Sequence, residues 1–358
     1  MTSAKKDISG FILLVRLGIG HFSNVIPDNI DWPSINTLAY KHGLSAVVLD
    51  GIDCLPENKR PPKDFMLQWI GEVLQGYEFR YENYCHTIAE LAAFYKAQGI
   101  KMMVLKGYAC GLNWPKPEHR PCGDIDIWLF GKQKEADDLI GKEKSIKIDS
   151  THHHHTVFDW HSFSVENHYD FINIHRYHSN KKYETLLKEL GKDDSHQIEL
   201  LGQTVYIPSA NLHTLFLLRH SMMDFVASSL SLRQVMDWAF FVEKHTKEID
   251  WNYILTVLDE YNMVSFFNLI NAICVEDLGF DSRIFPKVQF LSDLKQRVLY
   301  DIVNPAYEKK ESSSILKRLL YKYQRWHGNA WKQQLCFKES RWNNFYDGIR
   351  AKMIKPSA

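Results

Sequence analysis

The most constraining stretch of this sequence runs from Lys101 to Leu129. Lys101-Met102-Met103-Val104-Leu105 reads as an apolar strand, and Lys106-Gly107-Tyr108 as a glycine turn into a short helix. Arg120-Pro121-Cys122-Gly123 is loop chemistry, and Asp124-Ile125-Asp126-Ile127-Trp128-Leu129 is a second strand. Residues i and i+2 of a strand share a face, so Asp124 and Asp126 project together, about 7 Å apart at the backbone. Ile125 and Ile127 then face a core on the other side. Paired carboxylates repel unless a cation or a shared proton relieves them, and a hard divalent ion such as Mg²⁺ is the usual relief. Amides at the helix start after Gly107 can cradle phosphate, and Lys106 adds a positive charge.

Around this stretch the chain reads as scaffold. Its 358 residues suffice for two or three domains with a sizeable core. Lys+Arg and Asp+Glu balance at 43 each, so bulk charge points to neither nucleic acid nor membrane as a partner. Cys54, Cys85, Cys110, Cys122, Cys274 and Cys336 form no CxxC pair, which suits reduced thiols in a cytoplasmic protein. Arg16 interrupts the apolar run that starts at Phe11, so no signal peptide is expected, and no apolar window approaches membrane-spanning length.

Along the chain, three regions are expected: helical over 1–75, a core of mixed sheet over 76–208, and helical again over 209–358. The fold class is therefore α+β. Asp31-Trp32-Pro33 starts a helix that Gly43 stops, and Ile249-Asp250-Trp251 repeats the signal, with Asn262 in the place of Gly43. A long helix is expected from Phe65 to Gln98, interrupted near Gly76, and another over Lys132–Ile140. Strands are expected near Thr156–Val165 and Phe171–His175, with Asn167-His168-Tyr169-Asp170 as the hairpin turn, and at Gln203–Ile207. The four histidines 152–155 read as a solvated loop edge rather than a metal site. Beyond residue 300, basic residues alternate with aromatics through Tyr321, Trp326, Trp331, Trp342 and Phe345, with Arg350 beyond. These fall at helical spacing, which favours packing with a solvated basic face over a nucleic-acid surface.

The central stretch resembles the nucleotidyltransferase superfamily signature, a glycine turn followed by hydrophobic-Asp-hydrophobic-Asp. More specifically it resembles a bacterial nucleotidyltransferase-like family with a Lys-Gly turn and an Arg-x-x-x-Asp-x-Asp strand. The residues that carry the likeness are Leu105-Lys106-Gly107, Trp114-Pro115, Arg120 and Gly123-Asp124-Ile125-Asp126. It continues more thinly in Ile172-Asn173-Ile174-His175, Leu217-Leu218-Arg219-His220 and Arg233-Gln234-Val235-Met236-Asp237. The resemblance implies transfer of a nucleoside monophosphate from an NTP to a hydroxyl of an unknown acceptor. Asp124 and Asp126 would be catalytic ligands of Mg²⁺ or Mn²⁺. Lys106, Gly107, Tyr108, Arg120, Asn173 and His175 would be the nucleotide-binding candidates. Arg120 is equally suited to pair with an aspartate. His220, Arg233 and Asp237 also suit a buried ion pair between helices. Two departures stand out: Tyr108 occupies a position that is often Ser, and the third carboxylate falls at Asn173. A nucleotide-binding or partner-binding protein without turnover is the alternative that Asn173 raises.

Overall fold

The computed structural model describes residues 3–21, 30–152, 154–286, 292–307 and 315–344. Helices α1 (Ser3–Gly18), α2 (Trp32–His42) and α3 (Ser45–Asp53) come first, then α4 (Lys63–Val73) and α5 (Phe79–Ala97). One π-helical turn, Leu74–Glu78, joins α4 to α5 without a break and contains Gly76, where an interruption was expected. The central segment carries β1 (Met103–Val104), α6 (Lys106–Gly111), β2 (Ile125–Trp128), α7 (Gln133–Glu143), β3 (His155–Trp160) and β4 (Phe163–His168). It continues through α8 (His178–Gly191), β5 (Gln197–Leu200) and β6 (Gln203–Tyr206). Helices α9 (Ala210–Ala227), α10 (Leu232–His245), α11 (Trp251–Glu260), α12 (Val264–Ala272), α13 (Ser292–Val303), α14 (Ile315–Gly328) and α15 (Ala330–Cys336) complete the described chain. The architecture is α+β, as expected.

The repeated capping signal produces two helices of like construction. Asp31 caps α2 by accepting from the Ser34 amide, and Asp250 caps α11 by accepting from the Tyr253 amide. Gly43 ends α2 in the left-handed region (φ 64°), and Asn262 takes the same conformation (φ 56°) after α11.

The sheet is mixed, in the order β3-β4-β2-β1-β6-β5. β4 runs parallel to β2, and β2 antiparallel to β1. Alternation along the strands separates two cores. Val104, Ile125, Ile127, Phe158 and Val165 pack with Ile88, Leu91 and Tyr95 of α5 and Ala136 and Ile140 of α7. Met103, Leu105 and Trp128 point the other way, into a larger core shared with the N-terminal and C-terminal helices. That second core closes tightly where α1 crosses α3. A Cβ on Gly18 would lie 1.9 Å from the Val47 carbonyl oxygen, and one on Gly51 2.0 Å from that of Leu14.

Two expectations are corrected here. The hairpin turns at His161-Ser162, not at Asn167–Asp170: β3 pairs with β4 from Trp160↔Phe163 out to His155↔His168. The segment Phe171–His175 is not a strand. Side chains take its backbone groups instead: Glu184 of α8 accepts from the Phe171 and Ile172 amides (2.9 and 3.1 Å), and Asn173 Oδ1 accepts from the His175 amide at 2.9 Å. In the C-terminal region the aromatic and basic residues largely meet one another. Arg297 sits over the Trp331 ring (4.0 Å), Arg341 over Trp326 (4.5 Å), and Trp326 packs on Trp342. Phe345 and Arg350 lie outside the described residues. Among the described residues, no helix is long and apolar enough to cross a membrane.

Candidate active site

The pleat of β2 sends Ile125 and Ile127 into one core and leaves Asp126 on the opposite face. Asp124 lies one residue before the strand and is exposed, whereas Asp126 is buried. Because β4 is the parallel neighbour of β2, register places Glu166 beside Asp126. His168 follows two residues later on the same face, and His155 is its cross-strand partner on β3. Three adjacent strands thus bring two carboxylates and two imidazoles onto one patch of the sheet. Ligating atoms of Asp126, Glu166 and His168 all lie within 4.8 Å of one another.

Lys106, at the first position of α6, reaches this patch and places Nζ 2.8 Å from Asp126 Oδ1. His168 Nε2 lies 3.0 Å from the same oxygen and 3.5 Å from Glu166 Oε2. These contacts set the protonation of the group. Burial alone would raise the Asp126 carboxyl, but Lys106 and His168 outweigh it and hold the carboxyl far below the usual range. Burial works likewise against His168, and Asp126 and Glu166 overcome it, raising the imidazole. Asp124 shifts upward, first through burial and then through repulsion from Glu166 and Asp126.

Facing this patch is a cavity of about 780 Å³. Asp124, Asp126, Glu166, Lys106 and Gly107 line one side. The other sides come from Lys41 and His42 at the end of α2, His220 and Asp224 of α9, Arg233 and Gln234 of α10, and Tyr307 after α13. The lining mixes the carboxylates of Asp124, Asp126, Glu166 and Asp224 with the cations Lys41, Lys106 and Arg233. Arg233 Nε is buried without a hydrogen-bond partner, and the side chain makes no ion pair among the described residues.

Several expected site residues take other roles. Arg120 lines the cavity, yet its guanidinium is committed to Asp237 in a bidentate pair (2.7 and 3.0 Å), where Trp114 Nε1 also donates to the carboxylate at 2.8 Å. This is the structural pairing expected of Arg120, with Asp237 of α10 as the partner rather than Asp124 or Asp126. Asp237 is the ion-pair member anticipated on a helix, but Arg233 is not its partner. Gly107 serves a steric need. A Cβ there would lie 2.6 Å from Tyr84 Oη, and that hydroxyl donates to the Asp124 carbonyl oxygen at 2.8 Å. Helix α6 spans only Lys106–Gly111, and Gly107 lines the cavity at its start. Tyr108 is buried in the core beneath the sheet and does not line the cavity. Asn173 and His175 are also outside it, since their segment is a turn held by α8.

Sequence reasoning missed Glu166, His168 and the inward-facing His154 and His155. The apolar alternation Phe158, Trp160, Phe163, Val165 about a two-residue turn would have placed Glu166 and His168 on the polar face.

The carboxylate set fits a hard divalent cation. Its oxygens are clustered and partly desolvated, and in the described structure Lys106 Nζ and His168 Nε2 lie against them. No curated protein matches the chain. A crystal structure of an antigenic nucleotidyltransferase-like protein from Paracoccidioides brasiliensis is similar at 12% identity, covering 56% of this chain and 95% of that one, with a TM-score of 0.34. That likeness is too loose to carry an argument. The model of a family described as uncharacterised nucleotidyltransferase matches residues 28–279, well over half of the chain, and takes in the sheet, both aspartates, Glu166 and the helices α9 and α10. The chain belongs to that family of nucleotidyltransferases.

Proposed function

We propose that this protein transfers a nucleoside monophosphate from an NTP to a hydroxyl of an acceptor, using a divalent cation, Mg²⁺ or Mn²⁺, held by Asp124, Asp126 and Glu166. The observation that carries the reading is the register of β2 against β4. It sets Glu166 beside Asp126 on the face that looks into the 780 Å³ cavity, with Asp124 at the rim. When bound, such a cation neutralises triphosphate charge and lowers the pKa of an attacking hydroxyl.

The chain's own residues supply the rest. Lys106 is the cation beside the carboxylates, and Arg233 also lines the cavity, so a triphosphate there meets positive charge from both residues. The reading of a nucleotide-binding protein without turnover rested on neutral Asn173 standing where a third carboxylate was expected, and Glu166 beside Asp126 supplies a candidate for that carboxylate.

Pyrophosphate release from each NTP in the presence of Mg²⁺ tests the proposal. Asp126→Asn and Glu166→Gln are expected to lower the rate at least about 100-fold, since each removes a charge from the cation's shell. Asn173→Asp should leave it unchanged. Full activity in Glu166→Gln, or no NTP bound with Mg²⁺ present, would sink the assignment.

A further inference from the structure

We propose that His154, His155 and His168 form a second, nitrogen-donor metal site next to the carboxylates, one that takes a borderline first-row cation such as Zn²⁺ or Co²⁺. Ligand atoms of the three imidazoles lie within 4.8 Å of one another. The ring centroids are 4.4 Å apart for His154 and His155, 5.3 Å for His155 and His168, and 5.7 Å for His154 and His168.

Several observations point to a ligand here rather than to packing. Both ring nitrogens of His155 are buried with no hydrogen-bond partner, and so is Nδ1 of His154. A buried polar nitrogen without a partner is costly, and each neutral ring carries one lone pair, so His154 and His155 each have a lone pair to offer a cation, while the remaining N–H of His155 calls for an acceptor. His168 is oriented as metal-binding histidines commonly are: Nδ1 lies 3.1 Å from the Asp170 carbonyl oxygen, which can only accept, and this directs Nε2 inward. The backbone holds the set in place. The His154 carbonyl oxygen accepts from the Tyr169 and Asp170 amides, and His155 is paired with His168 across the hairpin. Glu166 Oε1, 3.7 Å from His155 Nε2, stands ready as a fourth donor. Three imidazoles and a carboxylate favour Zn²⁺ or Co²⁺ over Mg²⁺, which prefers oxygen throughout. The site shares Glu166 and His168 with the carboxylate pocket but needs no nucleotide, so it stands or falls apart from the transferase reading.

The test is titration of the nucleotide-free, full-length protein with Co²⁺, read by its visible ligand-field absorption, with Zn²⁺ as competitor. One Co²⁺ is expected to bind with the intense absorption of a low-coordinate, nitrogen-rich site, and Zn²⁺ should displace it. His155→Asn and His154→Asn should each weaken binding about 100-fold or more with the fold retained by circular dichroism, while Asp124→Asn leaves it unchanged. Weak six-coordinate absorption, affinity unchanged from the parent in the two histidine variants, or loss of binding in Asp124→Asn would each overturn the proposal, whatever the outcome of NTP assays.

Discussion

At the scale of single residues, Arg120 and Gly107 show how a motif position can serve structure and site together. Arg120 and Asp237 are both buried, 7% and 4% exposed, and bind each other through two hydrogen bonds. Removing one partner strands the other's charge in the interior. Asp237→Ala is therefore expected to cost about 3–5 kcal/mol in urea unfolding. Replacing both residues with apolar ones, Arg120→Met with Asp237→Leu, should recover most of that loss. A small cost in Asp237→Ala alone would mean that Arg120 finds compensation in the cavity. Gly107 acts through Tyr84. A methyl group at that position meets the buried hydroxyl that holds the Asp124 carbonyl. Gly107→Ala is expected to destabilise by about 1–3 kcal/mol through overpacking and to reduce turnover by displacing Asp124. Adding Tyr84→Phe makes room for the methyl and should restore stability but not the full rate, which unfolding and rate measurements on the double variant would separate.

At the scale of elements, what could be read in advance was local. Asp31, Gly43 and Asp250 announce their helix ends because a cap is chemistry between residues three or four apart, and the alternation of β2 is visible within six residues. The β3–β4 hairpin was not legible. Its turn, His161-Ser162, contains no glycine or proline, with His161 at φ 55°, while Asn167–Asp170 carries ordinary turn residues. Asn167 is instead buried in the strand, its amide donating to the Gln133 carbonyl and to Asp137. That one displaced turn put Asn173, rather than Glu166, in the expected place of a third carboxylate beside Asp126. A different junction, between α3 and the turn Pro117–His119 that leads into Arg120, rests on Asp50, whose carboxylate meets His119 Nδ1 and Lys116 Nζ, each at 2.7 Å. Burial would raise the Asp50 carboxyl, but these two partners lower it below 3.8. A depressed carboxyl stabilises the fold above its unfolded value and loses that contribution as pH falls through the folded one. Asp50→Asn should thus be less stable than the parent at pH 7 by about 1 kcal/mol, and the gap should close below pH 3.8 when unfolding is followed across that range.

At the scale of the whole molecule, the cavity exists because the sheet's polar patch faces helices from both ends of the chain. Lys41, Asp126, His220, Arg233 and Tyr307 meet there from segments far apart in sequence. No local pattern could assign the helical part of the lining, since nothing near Arg233 in sequence says that it shares a cavity with Asp126. Arg233 nevertheless bears the clearest mark of that lining. Burial, then repulsion from Arg120, lowers its pKa, so its charge is held at a cost that the described contacts do not offset. An anion in the cavity would offset it, and the phosphates of an NTP are the anions that the proposed reaction brings. Arg233→Ala is therefore expected to leave the protein as stable as the parent or more so, because an unpaired buried charge is removed. Its KM for NTP should rise about 10- to 100-fold, the equivalent of one charge-assisted hydrogen bond. Arg233→Lys should fall between the two. Unfolding in urea and initial rates across NTP concentration measure both quantities. A variant that unfolds more readily while its KM stays put would make Arg233 a structural residue and move the triphosphate to another part of the cavity.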